Sequence, residues 1–353
     1  MNADRLTSAH RGAPENPANR FEPIHLEPDA EWNPGEDPLP RTQFLADHTV
    51  NILSQNDSPD IGFAYGLNPY RGCEHGCIYC YARPTHEYLG FSAGLDFESK
   101  IMVKMKAPEL LRAQFSSPKW QPQVIALSGN TDCYQPVERK LKLTRACLAV
   151  FAEFRNPVAI ITKNCLVTRD IDLLAELARH QAVHVTISIT SLDTDLRAVM
   201  EPRTSPPAAR LNAIRKLKEA GIPVGVNVAP IIPGLTDHET PAILKAAAEA
   251  GAGSAWYTVV RLPHGVAPLF EKWLETHFPD RKEKVLNRIK SMRDGKLYKA
   301  EWGTRMRGEG LFAEQIGQMF DVARRKAGIP NDYQPLSAAA FRRAGGTQLS
   351  LFS

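Results

Sequence analysis

The chain has 353 residues, 43% hydrophobic and 23% charged, with six cysteines and a formal net charge of +4. That length can bury a large core, as one barrel-type domain with extensions or as two smaller domains. Sparse cysteines exclude a disulfide framework, and no apolar stretch approaches the ~20 residues of a membrane span; with no charged-then-apolar leader at the start, reduced thiols and a cytoplasmic location are expected.

Residues 1–60 carry Pro14, Pro17, Pro23, Pro28, Pro34, Pro38 and Pro40, which break any helical or strand period. An extended or disordered N-terminal arm is expected. Turn chemistry over Asn56–Phe63 then leads into a first strand placed at about 65–71.

Next comes Arg71-Gly72-Cys73-Glu74-His75-Gly76-Cys77-Ile78-Tyr79-Cys80. Three thiolates on a tight loop, Cys73, Cys77 and Cys80, can wrap three corners of a cubic iron–sulfur cluster and leave one iron open to an outside molecule. Zinc is the competing reading, with His75 or His86 as a fourth ligand, although structural zinc sites usually offer two separated ligand pairs.

Beyond the loop, apolar runs alternate with helical periods, the pattern of a parallel α/β sheet or barrel. Strands are expected at Val124–Ser128 and Val158–Thr162, with helices over Leu141–Phe154 and about 170–179. Val183, Val185, Ile187 and Ile189 alternate with His184, Thr186, Ser188 and Thr190. Flanking helices would cover the apolar face, so Thr186, Ser188 and Thr190 are expected to point into a barrel; a solvent-facing polar side is the alternative. A helix over 206–220 ends at Gly221 before the strand Val224–Pro230. Thr236-Asp237-His238-Glu239 reads as a capping box for a helix ending at Gly251, before a strand Trp256–Arg261. Strand–helix units thus run from about 65 to 278.

Residues 281–307 hold ten Lys or Arg against three acids, with Tyr298 and Trp302 interleaved. Two readings fit equally: a track for a nucleic-acid backbone, or a solvated helix face. A last helix is expected over 314–327, giving a helical extension over 279–335, with a flexible tail over 336–353.

The cysteine loop resembles that of the radical S-adenosylmethionine (SAM) enzymes. Thr162-Lys163, Ser188, Glu201-Pro202 and Val228-Ala229-Pro230-Ile231 follow at spacings similar to the spore photoproduct lyase branch of that superfamily, over roughly 61–265. The resemblance implies an α/β fold, a partial (β/α)6 barrel, with a 4Fe-4S cluster and SAM as cofactors. It implies Tyr79 near the adenine, Lys163 at the SAM carboxylate, Ser188 at a ribose hydroxyl, and Ala229 and Ile231 lining the adenine. A reductant such as flavodoxin or ferredoxin is implied, as is a lyase-type, DNA-repair-like reaction. RNA, a protein or a small molecule are the alternative substrates, and a non-enzymatic metal-binding nucleic-acid protein is the alternative class.

Cys133, on the loop after the second strand, is read either as a hydrogen donor facing the site, with Tyr134 as the next choice, or as a small buried hydrophobe. Asp132, Glu138, Glu201, Arg203 and Arg261 are candidate substrate contacts, Arg261 through bidentate bonds to a phosphate or carboxylate. Cys147 and Cys165 read as structural.

Overall fold

The computed structural model describes residues 11–22, 41–331 and 334–343. Strands β1 (Gln43–Ala46), β2 (Leu53–Gln55), β3 (Tyr65–Leu67), β4 (Tyr70–Arg71), β5 (Lys100–Val103), β6 (Ile125–Leu127), β7 (Val158–Thr162), β8 (Val183–Ser188), β9 (Val224–Ile231) and β10 (Ala255–Val259) form two sheets. The larger has the order β10-β9-β8-β7-β6-β3-β2, parallel throughout except for β2. Strands adjacent in space follow one another in sequence, so the sheet winds in one direction as a partial barrel and never reverses.

Besides a single helical turn at Glu138–Leu141, the helices are α1 (Leu95–Ser99), α2 (Ala107–Ser116), α3 (Leu143–Phe154), α4 (Ile171–Ala178), α5 (Thr194–Met200), α6 (Pro207–Glu219), α7 (Thr240–Glu249), α8 (Val266–His277), α9 (Pro279–Ser291) and α10 (Leu311–Lys326). Leu148, Phe151, Leu174, Leu177, Ile214, Leu217, Ile243 and Leu244 on these helices bury Ile125, Leu127, Ile160, Val185, Ile187 and Val226 of the strands in one core. Each fully buried aliphatic side chain there contributes about 1.5–3 kcal/mol.

Strand register puts the alternate residues on the other, concave face: Ala159 beside His184, Ile161 beside Thr186 and Gly225, and Ser188 beside Asn227, which pairs with Trp256. The polar side of β8 therefore faces the lumen, as the alternation implies.

Several expectations need correction. The strand placed at 65–71 divides at Pro69, which has no N–H for a ladder. Tyr70–Arg71 moves to the small sheet β1-β5-β4, which carries the cysteine loop. Within the described residues, the N-terminal arm is ordered: β1 pairs in parallel with β5, and β2 adds antiparallel to β3. Pro23, Pro28, Pro34, Pro38 and Pro40 lie outside the described residues.

Thr236 and Glu239 make no reciprocal cap. The Thr236 hydroxyl accepts from Ile232 N–H at 2.9 Å, and Glu239 accepts from Ser191 Oγ and Leu192 N–H. A tertiary donor pair captured the glutamate. α10 starts three residues earlier than the pattern indicates. Part of the supposed tail is docked: Phe341 packs edge-on to Phe115, and Ser337 and Arg342 N–H groups donate to Gln181 and Phe154 carbonyls. Residues 344–353 lie outside the described residues. Among the described residues no helix is long and apolar enough to cross a membrane.

Two imidazoles sit inside this framework. His86 is fully buried, with Nε2 2.9 Å from the Lys100 carbonyl, and His184 is 5% exposed on the lumen side. Burial pushes both down to about 4. Their folded pKa values lie below the ordinary ~6.5, so the unfolded chain takes up protons first as pH falls. Their contribution is complete above about pH 6.5 and drains away toward pH 4, on the order of 3 kcal/mol each. Denaturant midpoints measured across this window should fall steeply for the wild type, and His184→Gln should flatten the curve.

Candidate active site

The cysteine loop leaves β4 through Gly72 and turns again at Gly76, both in the left-handed region that glycine tolerates (φ 78° and 68°). Cys73 N–H donates to the Phe97 carbonyl at 2.8 Å, and Ile78 N–H donates to the Met200 carbonyl at 3.1 Å. Gln135 braces the other side: its amide oxygen accepts from Glu74 N–H at 2.9 Å and its amide donates to the Gly72 carbonyl at 3.1 Å. All three cysteines are free. Burial raises each thiol, and neighbouring cysteines add to the effect at Cys73 and Cys77. Metal binding there must displace thiol protons.

Between the cysteines, two buried side chains tie the loop to the barrel mouth. Glu74 accepts from Arg203 Nη2 at 2.8 Å and from the Thr42 hydroxyl at 3.1 Å. His75, 1% exposed, has Nδ1 3.4 Å from Asp132 Oδ2 and takes the Asn164 amide at Nε2, 3.1 Å away. Asp132 also accepts from the Thr162 hydroxyl and from Lys163 N–H, both at 2.7 Å. Burial would raise its carboxyl, but facing His75 and these donors hold it below the usual carboxylate range.

Deeper, a second buried carboxylate gathers the mouth. Glu201 is fully buried and accepts from Tyr79 OH, the Thr190 hydroxyl and Arg210, with Lys163 Nζ at 3.5 Å. Burial opposes its ionisation, yet Arg210 and Lys163 carry it far below the ordinary range. Lys163 Nζ donates to the Ala229 carbonyl at 2.7 Å and to Thr190 Oγ1 at 3.3 Å, and lies 5.7 Å from the Tyr79 ring centroid. Tyr79, Lys163, Ala229 and Ser188 therefore surround one end of the lumen. Ser188 borders Asn227, whose side-chain Oδ1 is buried without a partner.

Other candidates are placed differently. Cys133 and Tyr134 are fully buried in the main core with Leu127 and Cys147, and the Tyr134 hydroxyl donates to Asp170 at 3.1 Å. Neither faces the mouth: a small thiol and a ring with an internal acceptor fit the space under α3. Ile231 is also fully buried in that core. Glu138 is committed to Tyr70 OH, Thr144 N–H and Arg169. Asp132, Glu201 and Arg203 brace the site from within. Arg261 alone of the named substrate contacts stays open, stacked over the partly exposed Tyr81 ring at 4.3 Å.

Half of the basic segment is spent internally. Lys282 pairs with Glu275, Arg288 with Asp237, Lys299 with Asp294, Glu301 and Glu309, and Arg305 with Asp60. Arg293 is 1% exposed and donates to two carbonyls, of Arg305 and Val260. The other five of the ten, Arg281, Lys284, Lys290, Lys296 and Arg307, have no such partner, Arg307 lying over the Tyr257 ring at 4.9 Å.

The sequence places Thr190 on the lumen face but gives Arg210 and Asn227 no role at the site. A lone Asn in Val-Gly-Val-Asn-Val was a usable signal; Arg210, on a helix, was not distinguishable from a surface arginine.

A partial barrel with three free cysteines on a loop at the carboxyl ends of its strands is an architecture built to hold a metal-cluster cofactor. The chain belongs to the radical SAM superfamily, whose family model matches residues 67–247. Its cofactors are accordingly a 4Fe-4S cluster and SAM. The residues suit that group: each thiolate of a cubic cluster takes its own iron, so the three need not converge on one point. Among the described residues no three His, Cys, Asp or Glu side chains converge on a single-ion site, and His75 and His86, the candidate zinc ligands, are bonded elsewhere.

An uncharacterized protein of Mycobacterium tuberculosis is 37% identical over 220 residues, 62% of this chain and 65% of that protein, so the match spans just under two thirds of that relative. One from Methanocaldococcus jannaschii is 32% identical over 178 residues, 50% of this chain and 64% of its own. Among solved structures, a cysteine-to-serine variant of spore photoproduct lyase superposes with a TM-score of 0.54 at 17% identity, covering 80% of this chain and 78% of that one. Another variant of that lyase, with bound AdoMet and dinucleoside spore photoproduct, gives 0.53 at 18% identity over 80% and 77%. These likenesses establish the fold.

Because Glu201 balances two cations in a buried site, Glu201→Gln should cost about 3–5 kcal/mol of stability by denaturant unfolding. Loss of under 1 kcal/mol would show the carboxylate to be solvated in solution.

Proposed function

We propose that this chain abstracts hydrogen from a nucleic-acid substrate in a lyase-type, repair-like reaction. Cys73, Cys77 and Cys80 hold the cluster, Lys163 meets the SAM carboxylate, Ser188 a ribose hydroxyl, and Ala229 and Tyr79 flank the adenine. Ile231 supports that wall from the core and does not line it directly. When bound and reduced by a donor such as flavodoxin or ferredoxin, the cluster supplies the electron that cleaves SAM and yields the hydrogen-abstracting 5′-deoxyadenosyl radical. The protein's own task is to hold SAM in one orientation and exclude competing hydrogen sources. Lys163 is preorganised for this, since its ammonium is pinned among Ala229, Thr190 and Glu201.

One observation carries the substrate class. Arg261 lies flat on Tyr81, the residue directly after the last cluster cysteine. Beside it, buried Arg293 feels the Arg261 charge and is pushed down to about 10 by burial and that repulsion. Arg293 is spent on the Arg305 and Val260 carbonyls and adds only its field, so the open Arg261 guanidinium is the group for a phosphodiester, and the exposed Tyr81 ring beside it offers a stacking face for a base. Spore photoproduct lyase, whose fold this chain shares, is seen with a bound dinucleoside photoproduct, which lends support by analogy of fold.

Binding to single-stranded and duplex oligonucleotides, with RNA and peptide pools alongside, tests the reading. Affinity should fall with salt, and Arg261→Ala should lower the log–log slope by about 0.7–0.9, one phosphate contact. Salt-independent binding, or preference for peptide, would overturn the nucleic-acid assignment.

For the cofactor contacts, Lys163→Ala should weaken SAM binding by about tenfold or more while leaving iron content unchanged, the cost of losing one charged hydrogen bond. Unaltered SAM affinity would remove Lys163 from the site.

A further inference from the structure

The cysteine loop has a second wall, contributed by a segment some sixty residues upstream. Gly12 and Ala13 N–H groups donate to the two oxygens of Glu98, at 2.9 and 2.7 Å, and Arg11 Nη1 donates to the Glu98 carbonyl at 2.7 Å. Glu98 is fully buried, as is Arg83, which pairs with it at 2.5 Å. Arg83 Nε in turn donates to the carbonyl of Cys77 at 3.0 Å. A chain of charge-assisted bonds therefore runs from the backbone of Gly12 and Ala13 to the backbone of a cluster cysteine.

Contact is also direct. A Cβ on Gly12 would sit 1.5 Å from the Gly76 carbonyl oxygen, and one on Gly76 would lie 2.7 Å from Glu98 Oε2. Two glycines let two backbones and a carboxylate meet where no side chain fits. The following residues continue the seam: Leu95 N–H donates to the Glu15 carbonyl, Asn16 exchanges bonds with Asp96, and Asn19 donates to Glu87 and Phe91 carbonyls. Every one of these partners lies within the stretch that frames the cysteine loop, and Arg11 and Thr42 extend the same bonding to Glu74.

We infer that residues 11–19 are a positioning strap for the iron–sulfur cluster, with Gly12 as its closest point and Glu98–Arg83 as its link to Cys77. The inference rests on the assignment of Cys73, Cys77 and Cys80 as cluster ligands. The strap fixes the backbone between Cys73 and Cys77, so cluster retention depends on a segment far outside the cysteine motif.

The full-length chain tests this with Gly12→Ala, whose effect is steric because Gly12 lies outside the left-handed region. After anaerobic reconstitution, iron and sulfide are counted, cluster loss to a chelator is followed by visible absorbance under native conditions, and the reduced cluster is recorded by electron paramagnetic resonance. Gly12→Ala should lose its cluster about tenfold faster, the consequence of roughly 1.4 kcal/mol less strap–loop contact, and should shift the resonance. Glu98→Gln, which keeps both the size and an acceptor, should show the same resonance shift with a smaller rate effect. Wild-type loss rates and an unmoved resonance in both variants would overturn the strap, as would cluster loss that merely follows global unfolding measured by circular dichroism. Cys77→Ala separates the two readings: if it retains the cluster, the ligand assignment fails and the strap falls with it; if it loses the cluster while Gly12→Ala behaves as wild type, only the strap fails.

Discussion

The carboxylate of Glu201 is out of water and must be answered by positive charge and donors, and the parts of the active mouth are the parts that answer it. Tyr79 comes from the cysteine loop, Thr190 from the end of β8, Lys163 from the end of β7, and Arg210 from α6. Removing water makes each interaction stronger and makes an unpaired member expensive. The network thus locks four segments into a single geometry and holds an ammonium where a cofactor's carboxylate would approach.

Asp132 does the same work one layer nearer the surface. It joins His75, between the first two cysteines, to the backbone after β7. Loop and barrel are therefore registered twice, by two acids at different depths. Acids that look like substrate contacts from their position at strand ends are consumed in building the site. Among the described residues, what is left for an outside molecule includes the Arg261–Tyr81 stack, the unpartnered Asn227 oxygen and the partly exposed Ile161 on the concave face.

Placement of Cys133 also separates cofactor chemistry from substrate chemistry. The Cys133 thiol has no exposed surface and packs in a core with Leu127, Tyr134 and Cys147. Half of the basic run at 281–307 acts as an internal brace, pinning the extension to Asp237, Glu275 and Asp60.

Sequence alone determined the class of chemistry and the barrel. The C-x₃-C-x₂-C spacing is local, and so are the two-residue and 3.6-residue periods that marked β7, β8, α6 and the polar lumen face of β8. Local patterns survive because neighbouring residues remain neighbours in the fold. Tertiary structure decided which polar side chains are free: Glu201 and Arg203 were legible as charges after a strand, but Arg210, Glu74 and Tyr79 reach them only once the barrel closes. It also decided that the proline-rich start is ordered where described, because Gly12 and Ala13 meet Glu98 over a separation of more than eighty residues. No period or motif encodes a contact of that range. It exists only where the folded backbone brings a buried carboxylate and two free N–H groups to the same point.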